Sequence, residues 1–536
     1  MVFNLWLSWY NIPRELWKAG GVLHETEPDM DDARKEFLSV LCNLYMAALL
    51  AVLPLYTAGT YYQLGDTKYL LFRNVSLLCI GLWLVPGGVY ALWKRDRWSA
   101  VDFGMLAYCA CVLVSAMASP FGEIAWTGYR EWHMGAWSQL LFVGIYFMIS
   151  REYDGNVLPI YLGEGAFLAV TVIGLLNRLG IDPLKLYEGF RAGDWEYSHL
   201  LSTLGNINWL CGYYSVMLAF PMAGFLYCGR HGGLQGKAGR IKEGILYVIS
   251  VLGLGLLCIQ GSDSGPVIAV TGIGLSLWAC RKQPERFRKG LLLGAGVSAV
   301  IPGMGWAIRK LQTQAATPID GDAFARMQWK GFWFLSILLL ILAVLHARLK
   351  GHARKLFTLS LLTVGAITGM AVLWVFLGDW MKIPWENFGS GRGTLWKRAW
   401  EGFLKGDWKQ KLLGAGPDCF AEYLTSVGIS PVIDTTGQWS RAVYTNAHNE
   451  WLTQLINLGL LGTAAYLAVW AGAFRRYRGM LLGVLALGMY GVNSLVSFQQ
   501  VLNAPFLFLV LGLSEAKCRK AQEASRERQV HDGQCI

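Results

Sequence analysis

The residue best placed for chemistry is His448, where the sequence changes from a polar segment to an apolar one at His448-Asn449-Glu450. A predominantly apolar stretch follows, so we predict that His448 lies at the mouth of a helix, close to its N-terminus. The positive end of a helix dipole disfavours an imidazolium and keeps the ring neutral. A neutral imidazole accepts protons near pH 7, which suits a general base. The alternative is an interfacial histidine without a chemical role.

A second candidate is Arg392, which glycines flank in the stretch Gly389-Ser390-Gly391-Arg392-Gly393. The spacing of apolar residues after it predicts a helix over Thr394–Lys405. An arginine backed by the free N–H groups of a helix suits a diphosphate. The alternative for Arg392, and also for Arg398, is an interfacial arginine that reaches lipid headgroups.

The glycines further along the same loop, Gly414 and Gly416, match no phosphate-binding pattern and predict a turn. Asn206 and Asn208 precede another apolar segment, where they either bind a sugar or cap a helix. No HExxH sequence is present, and no Pro-Cys-x-x-Cys follows His448. We therefore expect chemistry without a metal and without any other cofactor.

The composition defines the elements that must position these residues. Of 536 residues, 54% are hydrophobic and only 15% are charged, whereas soluble proteins carry about 25% charged residues. This excludes a disordered chain, a fibrous protein and an ordinary soluble enzyme. Alternating barrel strands are absent, so we predict an all-α polytopic membrane protein. It has about 14 transmembrane helices, at 36–58, 69–92, 101–118, 134–150, 157–178, 207–228, 244–260, 264–280, 291–308, 327–347, 356–377, 449–473, 479–497 and 501–514.

The positions of lysine and arginine predict the orientation. With the N-terminus in the cytoplasm, cytoplasmic segments carry 29 of these residues and short outer loops carry 10, while the long loop carries 8. Positive residues concentrate on the cytoplasmic side of membrane proteins, so we expect both termini inside. The net charge of +11 then faces the lipid bilayer, and we expect no nucleic-acid partner.

One long loop interrupts the apolar segments, at 378–447, and its 70 residues are too many for a simple connection. We expect it to lie outside the cytoplasm, with short helices that roof a cavity. The chain thus divides into a cytoplasmic interfacial amphipathic segment at 1–35, transmembrane helices 1–11 at 36–377, the extracytoplasmic loop, helices 12–14 at 448–516, and a frayed cytoplasmic tail at 517–536.

The motifs around this loop resemble the O-antigen ligase/O-antigen polymerase superfamily, which also includes bacterial protein O-oligosaccharyltransferases. The signature of that family is His, then Asn, Ser or Gln, nine residues, Gly, two residues, and Gly, Thr or Tyr. His448, Asn449, Gly459 and Gly462 match it at every position. The Gly391-Arg392…Trp396 stretch, Gly414/Gly416 and Ser202–Asn208 also resemble segments of that family. The resemblance extends in topology over roughly residues 100–515.

This resemblance implies a membrane-embedded, GT-C-like glycosyltransferase that is metal-independent and inverting. The donor would be an undecaprenyl-diphosphate-linked glycan, and the acceptor a hydroxyl of a glycan, a lipid or a protein. His448 would take the hydroxyl proton, Arg392 would stabilise the leaving diphosphate, and Asn449 would orient the imidazole. The protein would lie in the bacterial cytoplasmic membrane, with its active site on the extracytoplasmic face.

The chain departs from the family at one position. Many members carry an arginine in a turn that here reads Ser262-Asp263-Ser264. A second phosphate-binding arginine is therefore unassigned, and the candidates are Arg130, Arg326 and Arg441.

Two classes of function stay open. Within the transferase class, the motifs fit a surface-polysaccharide polymerase and an O-antigen-type ligase equally well. The alternative class is a lipid-linked glycan flippase or another polytopic transporter. A flippase needs charged residues along several spans and no large outer loop, whereas this chain has polar residues at the outer ends of its spans.

Overall fold

A computed structural model describes residues 30–85, 98–191, 195–228, 236–311, 327–380, 389, 391–433 and 442–533. Residues 1–29 of the predicted amphipathic segment lie outside the described part of the chain. Two of the candidate phosphate-binding arginines, Arg326 and Arg441, also lie outside the described residues.

The described chain is built almost entirely from helices, as the absence of alternating strand patterns predicted. The longer helices are Met30–Ala47 (continued by a π-helix at Ala48–Val52), Leu64–Trp83, Ala100–Ala118, Ala136–Glu152, Leu158–Arg178, Ile207–Met217, Ala219–Tyr227, Lys237–Ile259, Ser264–Cys280, Pro284–Leu311, Gly331–Arg348, Gly351–Trp380, Arg392–Lys405, Glu450–Tyr477, Leu481–Ser494 and Ala504–Gly533. Short helices are Leu53–Leu55, Tyr61–Gln63, Glu123–Thr127, Trp195–His199, Ser202–Leu204, Trp408–Leu413 and Phe420–Ser426. Two small antiparallel pairs join Leu200–Leu201 to Gly205–Asn206 and Val432–Ile433 to Ala442–Val443.

Length and composition make this a membrane protein. Among the described residues, eight helices are long and apolar enough to cross a bilayer, which needs about 20 apolar residues. The helices Ser264–Cys280 and Leu481–Ser494 are apolar but shorter. Apolar side chains cover the exposed face of Gly331–Arg348, for example Phe334, which is 73% exposed. Each of the fourteen predicted segments overlaps a helix within the described residues, but fourteen membrane crossings stay a prediction.

A buried ion-pair cluster joins several basic segments at one end of the bundle. The carboxylate of Asp102 is fully buried and pairs with Arg519 at 2.5 Å and with Arg151 at 3.5 Å. Glu515 pairs with Arg476 at 2.7 Å. The basic segments around residues 151, 476 and 519 therefore share one end of the molecule, as the predicted orientation requires.

The same cluster holds the start of the predicted C-terminal tail. The last helix continues through this tail to Gly533. Glu515 and Arg519 are buried, and their ion pairs hold this part of the helix against the bundle. Polar composition alone gave no sign of these partners.

At the other end, which we call the loop face, the segment 391–433 packs on the helix Glu450–Tyr477. That helix is kinked at Gly459, whose backbone has φ 65° and ψ −168°. The turn at 414–416 donates two hydrogen bonds across the kink, from Ala415 N to Ile456 O at 2.9 Å and from Gly416 N to Asn457 O at 3.0 Å. Gly414 and Gly416 thus lie in the predicted turn, and this turn packs on the helix Glu450–Tyr477.

Candidate functional site

The backbone fixes His448 at the start of the helix Glu450–Tyr477. His448 has a left-handed conformation with φ 46°, and its N–H donates to Oδ1 of Asn446 at 3.0 Å. Asn449 is the N-cap residue, and its Oδ1 accepts the N–H of Leu452 at 3.0 Å. Its Nδ2 donates to the carbonyl oxygen of Leu495 at 2.9 Å. Asn449 therefore positions the histidine through the backbone. Its side chain was expected to orient the imidazole, and these two hydrogen bonds go to backbone groups of Leu452 and Leu495 instead.

Two aromatic rings enclose the imidazole of His448. Phe498 lies edge-on with its ring centroid 5.1 Å away, and Tyr444 lies at 5.7 Å. Desolvation by the surrounding protein and, to a smaller extent, the positive charge of Arg392 together lower the pKa of His448 to about 3. The ring is therefore neutral at physiological pH, which is the state that a general base requires.

Arg392 begins the helix Arg392–Lys405, two residues before the predicted start. Gly391 precedes it in the left-handed region, with φ 90°. The guanidinium donates from Nη1 to Gly389 O at 3.2 Å, while its buried Nε has no hydrogen-bond partner among the described residues. Burial lowers the pKa of Arg392, and Asp263 is the first of the groups that oppose this effect. The arginine is thus a partly desolvated cation with donor capacity to spare.

Two further turns meet next to this arginine. Ser262 donates from Oγ to Oδ1 of Asn208 at 2.7 Å and lies 2.9 Å from Ser264 Oγ. The thiol of Cys211 interacts with both serines and with the charge of Arg392. The segments at 208–211, 262–264 and 391–392 therefore converge on one place.

The two asparagines of the first turn have different positions in this arrangement. Asn206 caps the helix Ile207–Met217, because its Oδ1 accepts the N–H of Asn208 at 2.8 Å. Capping, one of the two alternatives for Asn206, is confirmed. Asn208 instead contacts Ser262 in the turn at 262–264, which we call the serine turn, and stays a candidate for substrate binding.

Of the three arginines expected to supply a second phosphate contact, Arg130 lies among the described residues. The side chain of Arg130 is 87% exposed and pairs with Asp66 at 3.4 Å. Arg398 was considered a headgroup ligand, but its Nη1 donates to the carbonyl oxygens of Ser430 and Val432 at 2.8 and 2.6 Å. It therefore holds the loop together. Since Arg326 lies outside the described residues, as does Arg441, a second phosphate ligand is not assigned.

The loop that carries Arg130 approaches the histidine from another side. Asp418 is buried, and its Oδ2 accepts the N–H groups of Tyr129 at 2.6 Å and Met134 at 3.0 Å. This holds Trp132 edge-on against Phe498, with 5.0 Å between ring centroids. Burial raises the pKa of Asp418 to about 7. Because Phe498 also contacts His448, the loop 128–135 forms part of the wall around the imidazole.

A polar cavity lies beside the histidine, and the sequence analysis missed it. Its lining includes Trp132, Asp418, Asn446, Glu450, Gln454, Asn457 and Gln499. The residues come from four separate segments, so no single motif carries them. One signal was available: Glu450, Gln454 and Asn457 follow each other at helical spacing, on one face of an otherwise apolar helix.

No protein-family model matches this chain, and no curated protein is significantly similar to it in sequence.

Proposed function

We propose that this protein is a membrane glycosyltransferase that moves a glycan from an undecaprenyl-diphosphate-linked donor to an acceptor hydroxyl on the extracytoplasmic face. The observation that carries the proposal is the neutral His448 within electrostatic range of the partly desolvated Arg392 at the loop face. A proton acceptor next to an anion ligand is the pair that glycosyl transfer from a diphosphate needs. The resemblance of the same residues to the O-antigen ligase/polymerase superfamily supports the assignment.

The reaction is a single displacement with inversion. The acceptor oxygen forms a bond to the anomeric carbon of the donor sugar, and its proton passes to a ring nitrogen of His448. The bond between the anomeric carbon and the diphosphate oxygen breaks, and the leaving group retains the electron pair. Arg392 stabilises the negative charge that develops on the diphosphate.

Donor binding also makes His448 a stronger base. The positive charge of Arg392 is one of the two causes that lower the pKa of the imidazole. A diphosphate on the guanidinium neutralises this charge, so the pKa of His448 rises when the donor is bound. Proton abstraction is therefore more favourable in the complex that contains the leaving group.

The test is acceptor-dependent release of undecaprenyl diphosphate by the purified protein, with product analysis of the glycan. His448→Ala should lower transfer at least about 100-fold while leaving folding intact, because proton removal by a positioned base contributes about 10²–10⁴-fold. His448→Gln should stay inactive, because an amide forms hydrogen bonds but takes no proton.

The matched control is His352→Gln, the same substitution at an exposed histidine of another segment, which should behave as wild type. Near-normal transfer by His448→Gln would refute the role of His448 as the general base. Movement of the donor across the membrane without formation of a glycosidic bond would replace the transferase with a flippase.

A further inference from the structure

The segment 392–413, which we call the platform, exposes a row of large apolar side chains at the loop face. They follow one another at intervals of four residues along its two short helices, and nothing in the described chain covers them. Exposed apolar patches of this kind mark a surface that contacts a partner or a membrane. The exposed residues are Trp400 at 51%, Leu404 at 54%, Trp408 at 75% and Leu412 at 37%.

Two hydrogen bonds fix the height of the platform relative to the helix that ends at Ala118. Lys409 donates from Nζ to the carbonyl oxygen of Ala118 at 3.3 Å, and Ser119 donates from Oγ to the carbonyl oxygen of Ala415 at 2.6 Å. Near the other end of this helix, Asp102 belongs to the buried ion-pair cluster. At a rise of 1.5 Å per residue, Ala118 lies about 24 Å from Asp102 along the helix axis.

The helix Glu450–Tyr477 gives the same height independently. Arg476 pairs with Glu515 in the ion-pair cluster at 2.7 Å, and the platform packs on this helix at Gly459, where an added Cβ would lie 2.5 Å from Leu412 O. The rise from Arg476 to Gly459 is about 26 Å. The hydrocarbon core of a bilayer is about 30 Å thick. The second platform helix therefore lies at the boundary of the membrane and not above it.

An exposed tryptophan outside the platform lies at a similar height. Trp137 is 49% exposed, and its ring centroid lies 5.8 Å from that of Trp126. Its helix ends beside Arg151, which pairs with Asp102 in the ion-pair cluster. The rise from Arg151 to Trp137 is about 21 Å. Tryptophan is enriched at the boundary between lipid and water, so these exposed rings fit a common membrane surface.

The platform is also basic. Residues 392–413 include six lysine and arginine residues and two acidic residues, so the formal net charge of the segment is positive. A basic helix with exposed tryptophan and leucine is typical of segments that lie in the plane of a membrane interface. Anionic phospholipids attract basic segments at a membrane surface. Four of the basic residues are lysines, whose long side chains can reach headgroups from an apolar surface: Lys397, Lys405, Lys409 and Lys411.

We infer that the platform lies in the surface of the lipid leaflet on the side of the loop face. Trp400, Leu404 and Trp408 enter the upper part of the acyl chains, and the lysines contact the headgroups of anionic phospholipids. The inference goes beyond glycosyl transfer and does not depend on it. It assigns the exposed row to lipid, and not to a second copy of the chain or to another protein.

Spin-label depth measurements test the position of the platform. The protein is placed in nanodiscs of equimolar phosphatidylcholine and phosphatidylglycerol, with a nitroxide at Trp408→Cys, Leu467→Cys or Ser525→Cys. Leu467 is 50% exposed in the middle of a bilayer-length helix, and Ser525 is exposed beyond the ion-pair cluster. The unsubstituted protein, labelled in the same way, supplies the background from its native cysteines.

Collision with oxygen and with a water-soluble nickel chelate gives the depth of each label. The Trp408 label should lie about 5–10 Å below the headgroup surface, with less nickel access than the Ser525 label and more than the Leu467 label. Nickel access equal to that of the Ser525 label would place the platform in water and overturn the inference. Low access to both reagents would show that a protein surface covers Trp408, which would overturn it as well.

A second measurement tests the preference for anionic headgroups. A fluorophore on Trp408→Cys is quenched by phospholipids that carry a spin label on the acyl chain next to the headgroup. At equal mole fractions, spin-labelled phosphatidylglycerol should be enriched at the fluorophore at least about fivefold over spin-labelled phosphatidylcholine, the effect of one lysine at a charged surface.

The lysines that flank Leu412 supply the matched comparison. Lys409→Gln together with Lys411→Gln should remove this preference, because the amides keep hydrogen-bonding capacity and lose the charge. Lys350→Gln together with Lys355→Gln, at two exposed lysines of another segment, should leave it unchanged. Equal quenching by the two lipids, or a preference that survives the first pair of substitutions, would overturn the assignment of anionic headgroups to the platform.

Discussion

Gly459→Ala is the substitution for which the structure gives the clearest expectation. The backbone of Gly459 lies at φ 65° and ψ −168°, a region that essentially only glycine occupies. An added Cβ atom would also lie 2.5 Å from Gly414 N and 2.5 Å from Leu412 O. These are backbone atoms of the turn packed on the helix, so they can give way only if the turn moves.

The expected loss of stability follows from two contributions. A non-glycine residue in this conformation costs about 1–3 kcal/mol. Displacement of the turn breaks the hydrogen bonds from Ala415 N to Ile456 O and from Gly416 N to Asn457 O, each worth about 0.5–1.5 kcal/mol. Together the free energy of unfolding should fall by about 2–6 kcal/mol.

The assay is thermal unfolding in detergent, followed by the transfer assay below the melting temperature. Gly165→Ala is the matched control: it lies inside the helix Leu158–Arg178, and no atom lies within 4 Å of its added Cβ. Alanine there should be neutral or stabilise by up to about 1 kcal/mol. Transfer by Gly459→Ala should also fall, because the kink orients the helix that begins after His448. An unchanged melting temperature together with normal transfer would show that the kink is not needed.

Further predictions concern the charged groups and the orientation. Arg392→Ala should strongly weaken use of the lipid diphosphate in the transfer assay, and Arg392→Lys should restore only part, because an ammonium group lacks the bidentate geometry of a guanidinium. The pKa of His448 is lowered to about 3, so protonation of this residue should cause no loss of kcat/KM down to about pH 5. Removal of the Arg392 charge should raise the pKa of His448, measured as a higher midpoint pH in the exchange rate of the His448 C2 proton. Burial raises the pKa of Asp418 to about 7, so this carboxyl group keeps its proton in the folded state, whereas the unfolded chain loses it near pH 4. The melting temperature should therefore fall as the pH rises from about 4 to 7. Asp418→Asn should abolish this fall. Engineered thiols at 385–440 should react with an impermeant reagent from outside, and those at 281–289 should not; the reverse pattern would invert the orientation.

Local patterns were sufficient to predict the helices. Each of the fourteen predicted apolar segments overlaps a helix within the described residues, and the periodicity of Thr394–Lys405 predicted the helix that Arg392 begins. The packing at the start of the C-terminal tail was not predictable in this way. Arg519 is buried through an ion pair with Asp102, more than 400 positions away in the sequence, and a composition argument contains no information about such a partner.

The site shows the same division between local and long-range information. The position of His448 at a helix start is a local property, and it was predicted correctly. The contact between the serine turn at 262–264 and Asn208, beside Arg392, depends on how separate helices pack. Asn449 illustrates an intermediate case: its place next to the histidine was evident, but its role as the helix cap required the geometry of Leu452 and Leu495.

In the described part of the chain, no carboxylate pairs with the imidazole of His448, the proposed base. A carboxylate beside the ring would raise the pKa of the imidazole. A larger fraction of the rings would then be protonated before the acceptor binds. Here the backbone supplies the orientation instead, through the left-handed conformation of His448, its N–H bond to Asn446, and the Asn449 cap. At its other end, the same helical segment is held by the turn that packs on Gly459. The helical segment between these two points therefore holds Asn457 in a fixed position relative to His448, the proposed base.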